Sequence, residues 1–214
     1  MTTILKQKYD KQLLKNLDTE HFQGRIFVIN NLVDTSKAVD FLMKHKVIGI
    51  DTETRPSFKK GVIHKVAILQ LATEDTAFLF QLKFIDLPDS IVNLLENQDV
   101  CKVGLSLKDD IHMLTMRRNF IPGSFVDLQN LVKQIGIQDL SLQKIYANFF
   151  GKRISKRKQL SNWNNDTLDE AQKHYAALDA VACLRIYNKI NELRKSQDFV
   201  LQTIDSSTET VEAN

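Results

Sequence analysis

Cysteine, proline and glycine are all scarce in this 214-residue chain, with two, three and seven copies respectively. Two cysteines make neither a disulfide framework nor a thiolate metal cluster. Cys101 and Cys183 each sit in an apolar context and read as buried free thiols of a reducing compartment, so a cytoplasmic protein is expected. With so little Gly and Pro there is no linker-like stretch, and no internal repeat is visible; one domain is the economical reading. No run approaches the ~18 consecutive apolar residues of a membrane helix, so no membrane association is expected. The opening stretch, MTTILKQKYDKQLLKNLDTE, lacks the apolar core of a secretory signal, and it carries acids but no Arg, unlike a transit peptide.

Charge is present but unevenly placed. The formal net is +3, yet the last 17 residues hold four acids and no Lys or Arg, so all 29 basic residues fall in residues 1–197 with the remaining 22 acids. Residues 198–214 are therefore expected to form a disordered acidic tail, and residues 1–24 a polar lead-in of about one helix. The body between them, 25–197, has a basic excess that permits a polyanionic partner.

Within that body RIFVIN reads as a strand, SKAVDFLMKHK as a helix and VIGIDTE as the next strand. HKVAILQLAT and TAFLFQL follow with short connections, which implies antiparallel pairing of three successive strands. Helical LPDSIVNLLENQD, strand CKVGLS, helix LKDDIHMLTMRRN and short strand SFVDLQ come next, and from residue 126 the pattern is mostly helical. The fold class is α/β: a mixed sheet of about five strands, antiparallel first and parallel later, flanked by helices.

Four acids occupy particular places. The apolar run Val47–Ile50 ends in Asp51 and Glu53, whose side chains point the same way because a strand alternates. Two like charges in one small volume raise each other's pKa unless a cation lies between them. In the helix after residue 106, Ser106 with Asp109 reads as a capping-box-like start, while Leu107, Ile111 and Leu114 mark the apolar face. At about 100° per residue Asp110 lies on the flank of that face and Asp109 points away. Asp110 could also simply pair with Arg117 or Arg118. The last long helix begins near DTLDEAQ, with Thr167 and Glu170 as its capping box, and Tyr175 and Asp179 lie one turn apart beside its apolar stripe. The bland alternative there is an intrahelical Tyr–Asp hydrogen bond. Taken together, four acids at element ends or buried flanks suit divalent cations. Oxygen donors without His or Cys favour Mg²⁺ or Mn²⁺ over Zn²⁺. A pair of such ions is the usual apparatus for in-line displacement at a phosphodiester.

IDTET, KVGLSLKDDIHML and HYAALDA resemble the three motifs of the DEDD 3′–5′ exonucleases, and the Tyr175–Asp179 spacing is that of the DEDDy subgroup. LSNWNNDTLDEAQKHYAALDAVACLRIY is especially similar to the ribonuclease D and Werner-type branch, and with all three motifs in order the resemblance covers roughly residues 25–195. The resemblance implies an RNase H-like fold and hydrolysis from a 3′ end to nucleoside 5′-monophosphates with two divalent cations, Mg²⁺ or Mn²⁺. It assigns metal ligation to Asp51, Glu53, Asp110 and Asp179, with Asp51 shared, and gives Tyr175 the orientation of the attacking water. Thr52 or Thr54 would contact the terminal 3′-hydroxyl. Many relatives have Thr where Leu178 stands here, a position that is not a ligand.

Substrate handling is expected from GKRISKRKQLSNW, where Lys152, Arg153, Lys156, Arg157 and Lys158 precede the helix bearing Tyr175; the bland alternative is a solvated loop. Phe58, in the turn RPSFKKG, would wall the site, and Trp163 is either a base-stacking surface or core packing. The expected partner is single-stranded or 3′-recessed nucleic acid, DNA or RNA, with oligomeric state left open. Two other classes compete: a catalytically silent nucleic-acid-binding scaffold of the same fold, and a metal-dependent endonuclease.

Overall fold

A computed structural model describes residues 2–57, 59, 61 and 64–203. In chain order the elements are β1 (Thr3–Lys6), a 3₁₀ turn (Leu13–Asn16), β2 (Arg25–Ile29), α1 (Leu32–Leu42), β3 (Val47–Thr54), β4 (Val66–Ala72), β5 (Thr76–Gln81) and α2 (Leu82–Ile85). They continue as α3 (Asp89–Glu96), β6 (Cys101–Gly104), α4 (Leu107–Arg117), β7 (Phe125–Asp127), α5 (Leu128–Gln134), α6 (Leu142–Phe150), α7 (Glu170–Ser196) and β8 (Phe199–Gln202).

Six strands form the main sheet in the order β2-β5-β4-β3-β6-β7. β3, β4 and β5 pair antiparallel, as their short connections require, whereas β2 joins β5, β6 joins β3 and β7 joins β6 in parallel. The expected three-strand meander and later parallel strands are both present. All six segments read as strands join the sheet, one more than the expected count of about five, with β2, the first of them, at the far edge beside β5.

Strand alternation sorts the core into two layers. Ile48 and Ile50 of β3 join a cluster with residues of α1, α3 and α4 on one face. On the other face α7 lies across the sheet so closely that a Cβ on Gly49 would come within 2.0 Å of the Ala180 carbonyl oxygen. Only glycine allows that approach, and it holds α7 against β3 two residues before Asp51.

Both chain ends depart from expectation. Residues 1–24 contribute a strand and a 3₁₀ turn rather than a helix. The tail expected from 198 onward is corrected for its first residues, because Phe199–Gln202 pair in parallel with Thr3–Lys6. Leu5 is fully buried within the α5–α7 core, and Phe199 and Leu201 pack against that core. Residues 204–214 lie outside the described residues. Of the two thiols, Cys183 is buried and Cys101 only partly so.

Candidate active site

β3 brings two carboxylates out of the core. Its ladder with β4 runs regularly to Glu53 and shifts register between Glu53 and Thr54, a local irregularity of the kind that re-aims side chains at a strand end. Asp51 and Glu53 share the face covered by α7, and α7 supplies Asp179. Carboxylate oxygens of Asp51, Glu53 and Asp179 lie within 4.8 Å of one another. Asp110 reaches the same strand from the opposite face, where its Oδ1 accepts a 2.5 Å hydrogen bond from the Thr52 hydroxyl. Three of the four expected acids are thus gathered, and the fourth is tethered next to them through Thr52. Thr54 ends the strand, half-buried.

Two capping arrangements hold the helices, and both differ from the expected ones. Ser106 has φ +59° and its side chain makes no cap hydrogen bond. Instead the Asp127 carboxylate accepts from Ser106 N at 3.1 Å and Leu107 N at 3.0 Å, and also caps α5 through Gln129 N at 2.8 Å. α7 starts two residues later than expected, in a capping box of Asp169 and Gln172 rather than Thr167 and Glu170.

The alternative partners proposed for Asp110 are occupied elsewhere. Arg117 pairs with Asp86 at 2.6 Å and donates to the carbonyls of Leu82 and Val66, and Arg118 pairs with Asp89. Among the described residues no Lys or Arg forms an ion pair with Asp51, Glu53, Asp110 or Asp179, and the buried Oδ1 of Asp179 has no hydrogen-bond partner at all. The electrostatic result follows. Burial first, then the charges of Asp179 and Asp110, pushes the Asp51 carboxyl well above the usual carboxylate range. Burial, then Asp51, Asp179 and Asp110, pushes Glu53 up to about 10. Asp179 is pushed up to about 7 by burial, with the Tyr175 phenol and Lys156 acting against the rise. Burial also raises Asp110, opposed by the Thr52 hydroxyl. Burial, with Asp179 and Glu53 beside it, raises Tyr175 too, so its phenol stays protonated.

A cleft of about 330 Å³ opens over the cluster, lined by Asp51, Glu53, Tyr175, Asp179, Lys156 and Cys183 among others. Oxygen-only donors, close together, half-buried to buried and without an ion pair among the described residues, suit a hard divalent ion. The orphaned Asp179 oxygen is the specific sign that the set is incomplete without one.

The basic segment divides. Residues 153–157 alternate: Ile154 and Lys156 face the acidic cleft, while Arg153, Ser155 and Arg157 face a second cleft of about 540 Å³ on the other side of Tyr175. Lys152 pairs with Glu20 at 3.4 Å, Lys158 with Asp169 at 2.7 Å, and Arg153 Nε donates to the Leu17 carbonyl. These three are structural ties as well as charges, whereas Lys156 and Arg157 make no ion pair among the described residues. Trp163 as a base-stacking surface is corrected. It is fully buried, and its ring packs 5.8 Å from that of Tyr175, so it braces the phenol instead of meeting solvent. Phe58 lies outside the described residues. Sequence reasoning missed Gly49, Asp127 and Asp169, whose roles depend on neighbours far away in the chain or on which of two overlapping caps wins.

Comparison with known proteins points to one family. A family model described as 3′-5′ exonuclease matches residues 26–194. The mouse (Mus musculus) bifunctional 3′-5′ exonuclease/ATP-dependent helicase WRN is 35% identical over 153 residues, covering 69% of this chain and 11% of that protein. A 3′-5′ exonuclease of Arabidopsis thaliana is 28% identical over 198 residues, or 84% of this chain and 68% of that one. The chain therefore spans about a tenth of the mouse relative's length and about two thirds of the plant relative's. The crystal structure of the Aedes aegypti Nibbler EXO domain shares the fold with a TM-score of 0.73 at 24% identity, over 80% of this chain and 90% of that domain. The six-stranded mixed sheet with its flanking helices is RNase H-like.

Proposed function

We propose, for a chain that belongs to the 3′–5′ exonuclease family, that it removes nucleoside 5′-monophosphates from the 3′ end of a nucleic acid in a reaction that needs divalent cations. The observation that carries this reading is the gathering of Asp51, Glu53 and Asp179 within 4.8 Å, with an unpartnered buried oxygen on Asp179. Those three would hold the cations, Mg²⁺ or Mn²⁺, and Asp110 would serve a second one. When bound, such ions supply an acidified water and neutralise charge that develops on the transferring phosphate.

The chain's own groups do the rest. Tyr175, protonated and braced by Trp163, is a hydroxyl that orients a water and does not act as a base. Thr52 donates its proton to Asp110 and so positions that carboxylate, while its oxygen, at the wall of the cleft, can still accept from the terminal 3′-hydroxyl. Lys156 presents an ammonium at the wall of the cleft, where a phosphate oxygen of the strand would lie. The substrate is a single strand or a recessed 3′ end, and the compartment is the reducing one that two free thiols suit.

The test is a gel assay with 5′-labelled single-stranded DNA and RNA of one sequence, in Mg²⁺, Mn²⁺ or EDTA, beside Asp51→Asn. A cation-dependent ladder shortening from the 3′ end and absent in the variant is the expected result. Intact strands in every lane would point to a binding scaffold, and cutting of a circular single strand would point to an endonuclease.

A further inference from the structure

β4 is buried along its whole length, and in its sequence VAILQLA the one polar side chain is Gln70, fully inaccessible to solvent. Alternation puts Gln70 on the same face as Ile68 and Ala72. Ile68 belongs to a cluster with Ala176 and Tyr175, and Ala72 to one with Ala177 and Ala180, so this face lies against the stretch of α7 that carries Asp179. The β3–β4 register places Gln70 directly opposite Asp51, and its neighbour on β5 is the apolar Leu79. Residues opposed in this way share a face with their Cβ atoms about 5 Å apart.

Neither Nε2 nor Oε1 of Gln70 has a hydrogen-bond partner among the described residues, and the same is true of Oδ1 of Asp179. A buried amide left unpaired costs about 1–3 kcal/mol, and a leucine or methionine would fill the volume without that cost. Packing alone gives no reason for an amide here. An orphan donor and an orphan carboxylate oxygen between the same strand and the same helix do give one.

We propose that Gln70 is a positioning residue for the acidic cluster: unpaired in the metal-free chain, its Nε2 becomes the donor to the Asp179 carboxylate when a cation draws that group's other oxygen toward Asp51 and Glu53. The inference rests on reading the cluster as a divalent-cation site. Gln70 touches neither the ion nor the strand; it acts through Asp179, as groups behind metal ligands commonly do.

Mn²⁺ binding to the full chain, measured by calorimetry without nucleic acid, tests it alongside the melting temperature of the metal-free protein. Gln70→Met keeps length and volume but removes the donor, and Gln70→Leu is a second variant should the first fold poorly. Loss of an outer donor of this kind is expected to weaken Mn²⁺ binding about tenfold. The metal-free melting temperature stays level or rises, because an unpaired amide has been removed. Unchanged Mn²⁺ affinity in a folded variant overturns the proposal and leaves the cation site standing. A matching fall in melting temperature also overturns it, since the amide would then be serving the fold. A wild-type chain that takes up no Mn²⁺ sinks the cation reading itself, and this inference with it.

Discussion

Asp139 and Asp179 are buried to nearly the same degree, 5% and 6% exposed, and they live in opposite surroundings. Asp139, at the approach to α6, is fully served: Tyr9 N donates to its Oδ2 at 2.6 Å and Lys144 Nζ to its Oδ1 at 3.2 Å. It ties the N-terminal lead-in to the helical half of the molecule across 130 residues of sequence separation. Asp179 has acids for neighbours, an oxygen without a partner, and a carboxyl raised toward neutrality. Burial therefore does not mark a functional carboxylate in this chain; the missing partner does. One aspartate is arranged to hold the fold, and the other is arranged to be completed from outside.

The comparison breaks if the two residues respond alike to the same substitution. Asp179→Asn removes a ligand, and with several kcal/mol of transition-state stabilisation at stake it should lower exonuclease turnover by about 10³-fold or more. The metal-free variant should melt no lower than wild type, because asparagine never has to carry a buried charge. Asp139→Asn should do the reverse. Breaking a buried, hydrogen-bonded pair costs about 3 kcal/mol, or roughly 6–12 °C in Tm for a chain of this size, while the folded fraction keeps its turnover. Thermal melts and single-turnover assays on both variants supply the four numbers. Two variants that lose stability equally would erase the distinction.

The same contrast explains what could be read from sequence. Asp51 and Glu53 were legible through strand alternation, Asp110 through its angle on a helical wheel, and Tyr175 with Asp179 through one-turn spacing, because each signal is local. Non-local determinants were not. Gly49 looks like any strand glycine until the Ala180 carbonyl is found above it. Asp127 caps a helix that begins 20 residues earlier in the chain, and β1 finds its partner at Phe199–Gln202. In DTLDEAQ two capping boxes overlap, T-x-x-E and D-x-x-Q, and propensity does not choose between them. Asp169 wins, and its carboxylate also meets Lys158. Trp163 was ambiguous because an aromatic beside a basic run fits either a stacking surface or a core; its complete burial against Tyr175 decides for the core.

A pH series sharpens the difference between the two corners. Glu53 is pushed up to about 10 and Asp179 to about 7, against an unfolded carboxyl near 4. Above that unfolded value the folded state retains protons the unfolded chain has lost, so stability falls as pH rises, by about 1.4 kcal/mol per unit for each such group. The contribution is fully present below about pH 4 and is lost progressively through pH 7 for Asp179 and toward 10 for Glu53. The Tm of metal-free protein is thus expected to drop between pH 5 and pH 8. Mn²⁺ should restore more of it at pH 8 than at pH 5.5, because the ion binds the deprotonated carboxylates. Asp179→Asn should flatten the slope. A wild-type Tm that is level across this range would mean that the cluster is not protonated in the folded chain.

The smallest expected effect concerns the cations, where the same division between satisfied and unsatisfied groups recurs. Lys152 is held by Glu20, and Lys158 by Asp169. Lys156 makes no ion pair among the described residues, lines the acidic cleft, and opposes the rise of the Asp179 carboxyl. If it meets a strand phosphate, Lys156→Met removes one charge-assisted contact worth about 1.5 kcal/mol and raises KM roughly tenfold. One fewer neutralised phosphate should also shallow the dependence of log KM on log salt concentration by roughly 0.7 for a single strand. Lys152→Met should leave that slope unchanged, since its ammonium is already engaged at Glu20. Measuring KM between 50 and 200 mM salt, a window in which phosphate contacts register strongly, separates the two. Equal slopes for Lys156→Met and wild type would assign Lys156 to Asp179 alone. A shallower slope in Lys152→Met would show that its pairing with Glu20 gives way when the strand arrives.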